Sequence, residues 1–436
     1  MPFSVPGDFA ETAFSCNQKF MSYTRYILAM VPGLGLAFIM SQFLRSIPAV
    51  IAPDLRAELD LTAGQLSNLP AALFLGSALM QLPAGVLLDH FGPRKTVAAF
   101  LLLTALGIFG FSLATTTKGL TFWLLVTGWG IAPVFMGTIV ILSRWVRRDR
   151  LATMTALTVG VGGTGMLLSA APFAAATEAI GWRNTLSGVA GFALLLVVVI
   201  LLTVRDRPPE SSSPKGPAES LGQVVRGLSV VFREPRLYAI GCMGGMTVGS
   251  FLTFRALWVG PYLNDVFGSD LIARGNIIFI ISLAWLVSAV AIGPLDRVFN
   301  TRRLLVATGG VLMALWFGLL AMAEGDSLLY ASAIMVALGL CSGLSSPIFA
   351  HARALFPDRY VGRLVTAINL FIWSGVFLVQ VATGLFIDLF PADTLGRTPV
   401  EAYRWNFAIL AALLITAVLF YLRVEDVPPS HDSEEP

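Results

Sequence analysis

The sequence predicts an all-α membrane protein with twelve transmembrane helices in two pseudo-symmetric six-helix bundles, and three observations carry this. Composition comes first. A chain of 436 residues that is 56% hydrophobic and 13% charged, with a mean hydropathy of +0.78, has lipid rather than water as its solvent. Second, apolar runs close to the ~20 residues a helix needs to cross a bilayer recur along the whole chain. Third, a charged corner between two such runs, Gly85, Asp89, Gly92, Pro93, Arg94 and Lys95, returns in weaker form at half the chain's length as Gly293, Asp296, Arg297, Arg302 and Arg303. A corner repeated at that interval marks two similar halves.

Taken in order, residues 1–25 are mixed and polar, without the basic-then-apolar layout of a cleaved signal peptide, and are expected to be a cytoplasmic N-terminal segment. The N-terminal bundle covers 26–204, with spans at about 26–51, 66–88, 97–114, 120–142, 153–177 and 185–204. Residues 205–237 are a cytoplasmic linker that opens on the Pro- and Ser-rich run RDRPPESSSPKGP. Within it, Leu221, Val224, Val225, Leu228, Val231 and Phe232 recur at helical spacing. They describe an interfacial helix, or equally a short soluble helix packed on the cytoplasmic face. The C-terminal bundle covers 238–422, with spans at about 238–262, 275–295, 304–323, 328–349, 364–387 and 404–422. Residues 423–436 are acidic and Pro-bearing and are expected to be a disordered cytoplasmic tail.

Because six is even, both halves enter the bilayer in the same direction, and the two corners fall on one side. Charge says which side. With the N-terminus inside, twenty-one Lys and Arg lie on the inner segments and six on the outer ones, so the N- and C-termini are expected in the cytoplasm. The lack of any N-x-[ST] sequon is compatible with the inner (plasma) membrane expected for the chain. Two arginines remain, Arg45 and Arg255, and both fall inside spans.

The twelve spans, the break after the sixth and the corner Gly85-x-x-x-Asp89-x-x-Gly92-x-Arg94-Lys95 resemble the major facilitator superfamily. The likeness covers nearly the whole chain; His90 and Pro93 are local departures from the family's loop. The resemblance implies that the halves rock around a midplane site. It also implies that Asp89 and Arg94, with Gly85 and Gly92 shaping the bend and Asp296 and Arg297 as the second copy, latch the halves together when the protein faces outward. Topology alone would need only positive charge there, not an aspartate and glycines at fixed spacing.

Arg45 carries the information about cargo. It lies eight residues before Pro53, roughly 12 Å below the outer end of its helix and close to the middle of a ~30 Å core. An arginine at that depth costs about 2.5–3.5 kcal/mol on insertion scales, so it faces a cavity, or else snorkels along its own stem. Ser41 and Gln42 share its helical face. Arg255 lies six residues before Pro261 in the seventh span, in an imperfect counterpart position among apolar neighbours. There, snorkelling and cavity lining are both open. No Asp or Glu falls near mid-depth. A deep arginine without an acidic partner leaves a positive site whose counter-charge the cargo can bring. The stretch FLRSIPAVIAPDL also resembles the organophosphate:phosphate antiporters and related organic-anion carriers. That likeness implies a two-armed anion site on Arg45 and Arg255.

Asn68, Gln81, Asn369 and Gln380 are further polar groups within spans, with Asn369 taken as a candidate ligand and interhelical hydrogen bonding as the ordinary role of such groups. Trp129, Trp258 and Trp373 fit either a pocket or plain packing. Gly160, Gly162, Gly163 and Gly165 read as helix-packing residues. No nucleotide loop, metal spacing or nucleophile pair is present in the sequence. The expectation is a monomeric secondary transporter, not an enzyme, without cofactor or nucleic-acid partner, moving a small organic or phosphorylated anion through the lipid bilayer. A proton-coupled drug or metabolite exporter and a non-transporting receptor or assembly protein are the alternatives.

Overall fold

The computed structural model describes residues 30–428 except 62, 147, 207–228, 293–294, 326, 357–360 and 392–396. Among the described residues, ten helices are long and apolar enough to cross a membrane, and two shorter apolar ones, Met30–Leu44 and Leu328–Cys341, complete a set of twelve. In the first half, α1 (Met30–Leu44) and α2 (Ile47–Leu59) form the first span. They are followed by α3 (Ala63–Phe91), α4 (Pro93–Leu113) and α5 (Thr117–Trp145). The pair α6 (Arg148–Leu168) and α7 (Ala171–Ile180) makes the fifth span, and α8 (Trp182–Thr203) the sixth.

The second half opens with α9 (Pro235–Thr253), a π-turn (Phe254–Trp258) and α10 (Val259–Phe267), which together are the seventh span. Then come α11 (Leu271–Ala291), the short α12 (Leu295–Phe299) and α13 (Arg303–Met322). The tenth to twelfth spans are α14 (Leu328–Cys341) continued by α15 (Ser345–Leu355), α16 (Val361–Ile387) and α17 (Val400–Tyr421).

Three seams join the halves. α3 packs along α16, α11 packs on α6 and α7, and α2 packs on the π-turn and α10. Small residues let helices approach within a bundle: a Cβ on Gly375 would stand 2.7 Å from Gly245 Cα, so α9 and α16 touch backbone to backbone. Of the α6 glycines, Gly165 acts in the same way, Gly162 meets the Phe38 ring and Gly163 faces the other half. A Cβ on Gly160 would meet nothing within 4 Å, so the packing role expected of it is not seen. A Cβ on Gly165 would lie 2.0 Å from the Ile39 carbonyl oxygen of α1, and one on Gly163 2.5 Å from Leu286 of α11.

Two expectations about the ends need qualification. The amphipathic linker segment lies mostly outside the described residues. Its last apolar positions are described: Val231 is buried, and Phe232 sits 6.3 Å from Phe371 of α16, ring to ring. The tail, expected to be disordered from residue 423, is packed at its start. Val424 is buried, and the Val424 and Val427 carbonyls accept from Arg303 Nη1 and Arg302 Nη1, each at 3.2 Å. Residues 429–436 lie outside the described residues.

Candidate functional site

The first span is not one helix. It breaks at Arg45–Ser46, where Ser46 N–H reaches back to the Phe43 carbonyl at 3.0 Å and Pro48, in the first turn of α2, has no N–H to return to the Leu44 carbonyl. The break takes Arg45 off a regular helical face and leaves the Leu44 carbonyl without its helical donor.

Arg45 is 4% exposed, so its side chain does not snorkel to the surface. Nη1 donates to Ser77 Oγ of α3 at 3.2 Å. The guanidinium carbon lies 3.9 Å from the centre of the Trp373 ring on α16 and 5.8 Å from that of Phe74 on α3. Phe74 and Trp373 stack on each other across the seam between the halves, with centroids 5.8 Å apart and planes at 15°. Trp373 belongs to the second half, so the charge of a first-half arginine rests on an aromatic face of the other half, an attraction of about 2 kcal/mol when desolvated. Nε is buried and has no partner.

Arg255 is 1% exposed, which settles its orientation too. Nε donates to Ser282 Oγ of α11 at 2.7 Å, Nη1 to Ser46 Oγ at 2.8 Å and Nη2 to the Met166 carbonyl of α6 at 3.1 Å. Two of these three acceptors belong to the first half. The π-turn explains how a residue two positions out of register reaches the seam. Arg255 lies within this wider turn, which shifts its register from that of a regular α-helix.

Both guanidinium groups are thus anchored at one break in the first span, Arg45 from within it and Arg255 through Ser46. Their partners are neutral hydroxyls, a carbonyl and aromatic faces. Among the described residues neither forms an ion pair; the pairs Glu58–Arg183, Glu234–Arg236, Arg236–Glu425, Asp296–Arg302 and Glu324–Arg404 lie at helix ends. A buried charge compensated only by dipoles favours a mobile counter-ion. Asn369 is buried on α16 one turn before Trp373, on the same face. Gln42 is half-buried, and its carbonyl accepts from Ser46 Oγ at 3.3 Å.

The corner residues are placed differently. Gly92 has φ +83°, and a Cβ there would stand 2.6 Å from Asp206 Oδ2, so glycine is required twice over. Asp206 Oδ1 accepts the Arg94 backbone N–H at 2.7 Å, capping α4, while Arg94 Nη2 donates to the Leu201 carbonyl at the end of α8. Arg94 is therefore engaged within its own half here. Gly85 has only Met136 Cε nearby, 3.7 Å from where a Cβ would stand. In the second copy, Asp296 Oδ2 lies 3.5 Å from Arg302 Nε, and Asp426 Oδ1 accepts the backbone N–H groups of Arg302 and Arg303 at 3.2 and 3.0 Å. The side chains of Asp89 and Arg297 lie outside the described residues.

Sequence reasoning brought Arg45, Arg255, Gln42 and Asn369 forward and missed Ser77, Phe74, Ser46 and Ser282, while Trp373 was weighed only as a packing or pocket residue. The i, i+3, i+7 spacing of Phe74, Ser77 and Gln81 was a usable signal for one face of α3. It also missed the capping pair, whose signal is the repeat of Val204-Arg205-Asp206 in Val424-Glu425-Asp426 just past the sixth and twelfth spans.

A family model described as Major Facilitator Superfamily matches residues 34–350 and 256–436. A probable nitrate/nitrite antiporter from Thermus thermophilus is 27% identical over 64% of this chain and 63% of its own length. A probable L-galactonate transporter from Escherichia coli (strain K12) is 26% identical over 56% of this chain and 55% of its own. The chain therefore spans less than two thirds of either relative. Among solved structures, a bacterial homologue of the human lysosomal transporter Spinster superposes with a TM-score of 0.72 at 16% identity, over 91% of this chain and 96% of that one. A likeness at that identity speaks for the fold alone.

Proposed function

The chain is a member of the Major Facilitator Superfamily, a transporter rather than an enzyme, and from that premise we propose that it is a secondary active carrier of a small organic or phosphorylated anion. One observation carries the reading: Arg45 is buried at the seam between the halves, tied to Ser77 and Trp373, with Nε unpartnered and no carboxylate paired to it among the described residues. Anion entry supplies the missing charge, and Arg255, whose hydrogen bonds already bridge the halves, lets binding be felt on both sides of the seam. Alternating access then follows as a rocker switch about the Arg45–Ser46 break, with the corner residues Asp89, Arg94, Asp296 and Arg297 controlling the cytoplasmic side. The relatives named for nitrate/nitrite and L-galactonate both have anionic cargo in their names, which supports the charge but not one cargo. We place both termini in the cytoplasm on the charge bias of the loops, and take the inner membrane and a monomeric state as what family membership implies.

The test is exchange in proteoliposomes. Vesicles loaded with a panel of nitrate, phosphate and carboxylates are expected to take up labelled anion in wild type and not in Arg45→Ala. Uptake of cationic drugs with no response to any anion would overturn the reading in favour of a drug exporter.

A further inference from the structure

Ser77 holds more than Arg45. Gln81 lies one turn further along α3 on the same face, 2% exposed, and its Nε2 donates to the Ser77 carbonyl at 3.3 Å. A carbonyl only accepts, so the amide is fixed in this orientation and Oε1 is left as an acceptor. That oxygen is buried and has no partner. Arg45 is tied to the same serine through its hydroxyl at 3.2 Å, and Arg45 Nε is likewise buried without a partner. Ser77 therefore gathers two unmet groups of opposite kind, a charged donor and a neutral acceptor.

A ligand that meets both gains more than one that meets Arg45 alone, because a buried polar atom left unmet costs stability that a matched ligand restores. Nitrate or a plain carboxylate offers acceptors only; it satisfies Arg45 and turns lone pairs toward Gln81 Oε1. A carboxylate with a hydroxyl nearby offers an acceptor and a donor in one molecule. We infer that the cargo is a hydroxylated carboxylate, its carboxylate on the Arg45 guanidinium and its hydroxyl donating to Gln81 Oε1. Gln81 is thus a specificity-determining residue within the anion site proposed above, and the inference rests on that reading. Hydrogen phosphate shares the pairing of negative charge with an O–H donor and forms a separate arm of the test.

The experiment is ligand-dependent thermal stabilisation of the purified full chain with matched probes: glycolate against acetate, gluconate against hexanoate, and nitrate and hydrogen phosphate alone. In wild type the hydroxylated member of each pair is expected to bind about tenfold more tightly, the effect of one added hydrogen bond. In Gln81→Met, which keeps the length of the side chain and loses the acceptor, the ratio is expected to fall to about one. Equal binding within both pairs in wild type overturns the inference whether or not the variant folds, and so does a preference that survives Gln81→Met. Tighter binding of nitrate or hydrogen phosphate than of either hydroxy acid also overturns it. In each of those cases binding that is lost in Arg45→Gln leaves the anion site standing. Failure of every probe to bind wild type overturns the anion site and this inference together.

Discussion

Replacing Arg45 with Gln removes the charge while keeping most of the side-chain volume. In the ligand-free protein two effects oppose each other. The variant is relieved of the ~2.5–3.5 kcal/mol cost of placing an arginine at mid-depth. It gives up a charge-assisted hydrogen bond to Ser77, about 1.5–3 kcal/mol, and the contact with Trp373, about 2 kcal/mol. The losses exceed the relief by about 1–1.5 kcal/mol, so the unliganded thermal midpoint is expected to fall by only a few degrees. Anion binding has no such compensation. Removing one partner of a buried ion pair costs about 3–5 kcal/mol, which at ~1.4 kcal/mol per decade is a loss of roughly 10²–10³ or more in affinity. Titration of wild type and Arg45→Gln with the same anions, read by thermal stabilisation and by exchange in vesicles, measures both quantities. An affinity within threefold of wild type, in a variant that remains folded, would refute the reasoning; a collapse of unliganded stability would show Arg45 to be a structural group.

Arg255 and Ser46 form a hydrogen bond across the seam at 2.8 Å. A double-mutant cycle of Arg255→Gln and Ser46→Ala on thermal stability is expected to show coupling of about 1–2 kcal/mol, and additivity would show the bond to be idle. Asp206→Ala and Asp426→Ala each remove a carboxylate that caps a helix start; each is expected to lower stability by about 1–2 kcal/mol, with the effects adding because the caps sit in separate bundles. Glu58 accepts from Arg183 Nη2 at 2.6 Å and from Trp182 Nε1 at 3.0 Å, tying α2 to α8. Glu58→Ala is expected to lower stability by up to about 1 kcal/mol, the exposure of the pair limiting the effect, and a loss several times larger would contradict this.

The parts legible in the sequence are those set by local pattern or by depth. Span length and loop charge placed twelve helices, because a bilayer imposes both on any chain that crosses it. Arg45 was legible because lipid makes a central arginine costly, and the absence of acids from mid-span was a property of the sequence itself. Its partners were not legible. Ser77 and Trp373 are ordinary span residues until α3 and α16 are brought together, and nothing near either in the chain announces a guanidinium. The π-turn at Arg255 has no compositional mark, so the register of the seventh span read as a mismatch. Asp206 and Asp426 follow their last helices in segments that look like linker and tail, and only folding shows each reaching back to the start of a helix more than a hundred residues earlier.

The most direct measurement is a structure of the full chain with a saturating anion, taken from whichever probe gives the largest thermal stabilisation. The expected result is an anion oxygen within about 3.2 Å of Arg45 Nε, next to Trp373 and Ser77, with no protein carboxylate on the guanidinium. An anion bound elsewhere while Arg45 keeps only Ser77 and Trp373, or a side-chain carboxylate moved in to pair with it, would contradict the claim that its counter-charge arrives with the cargo.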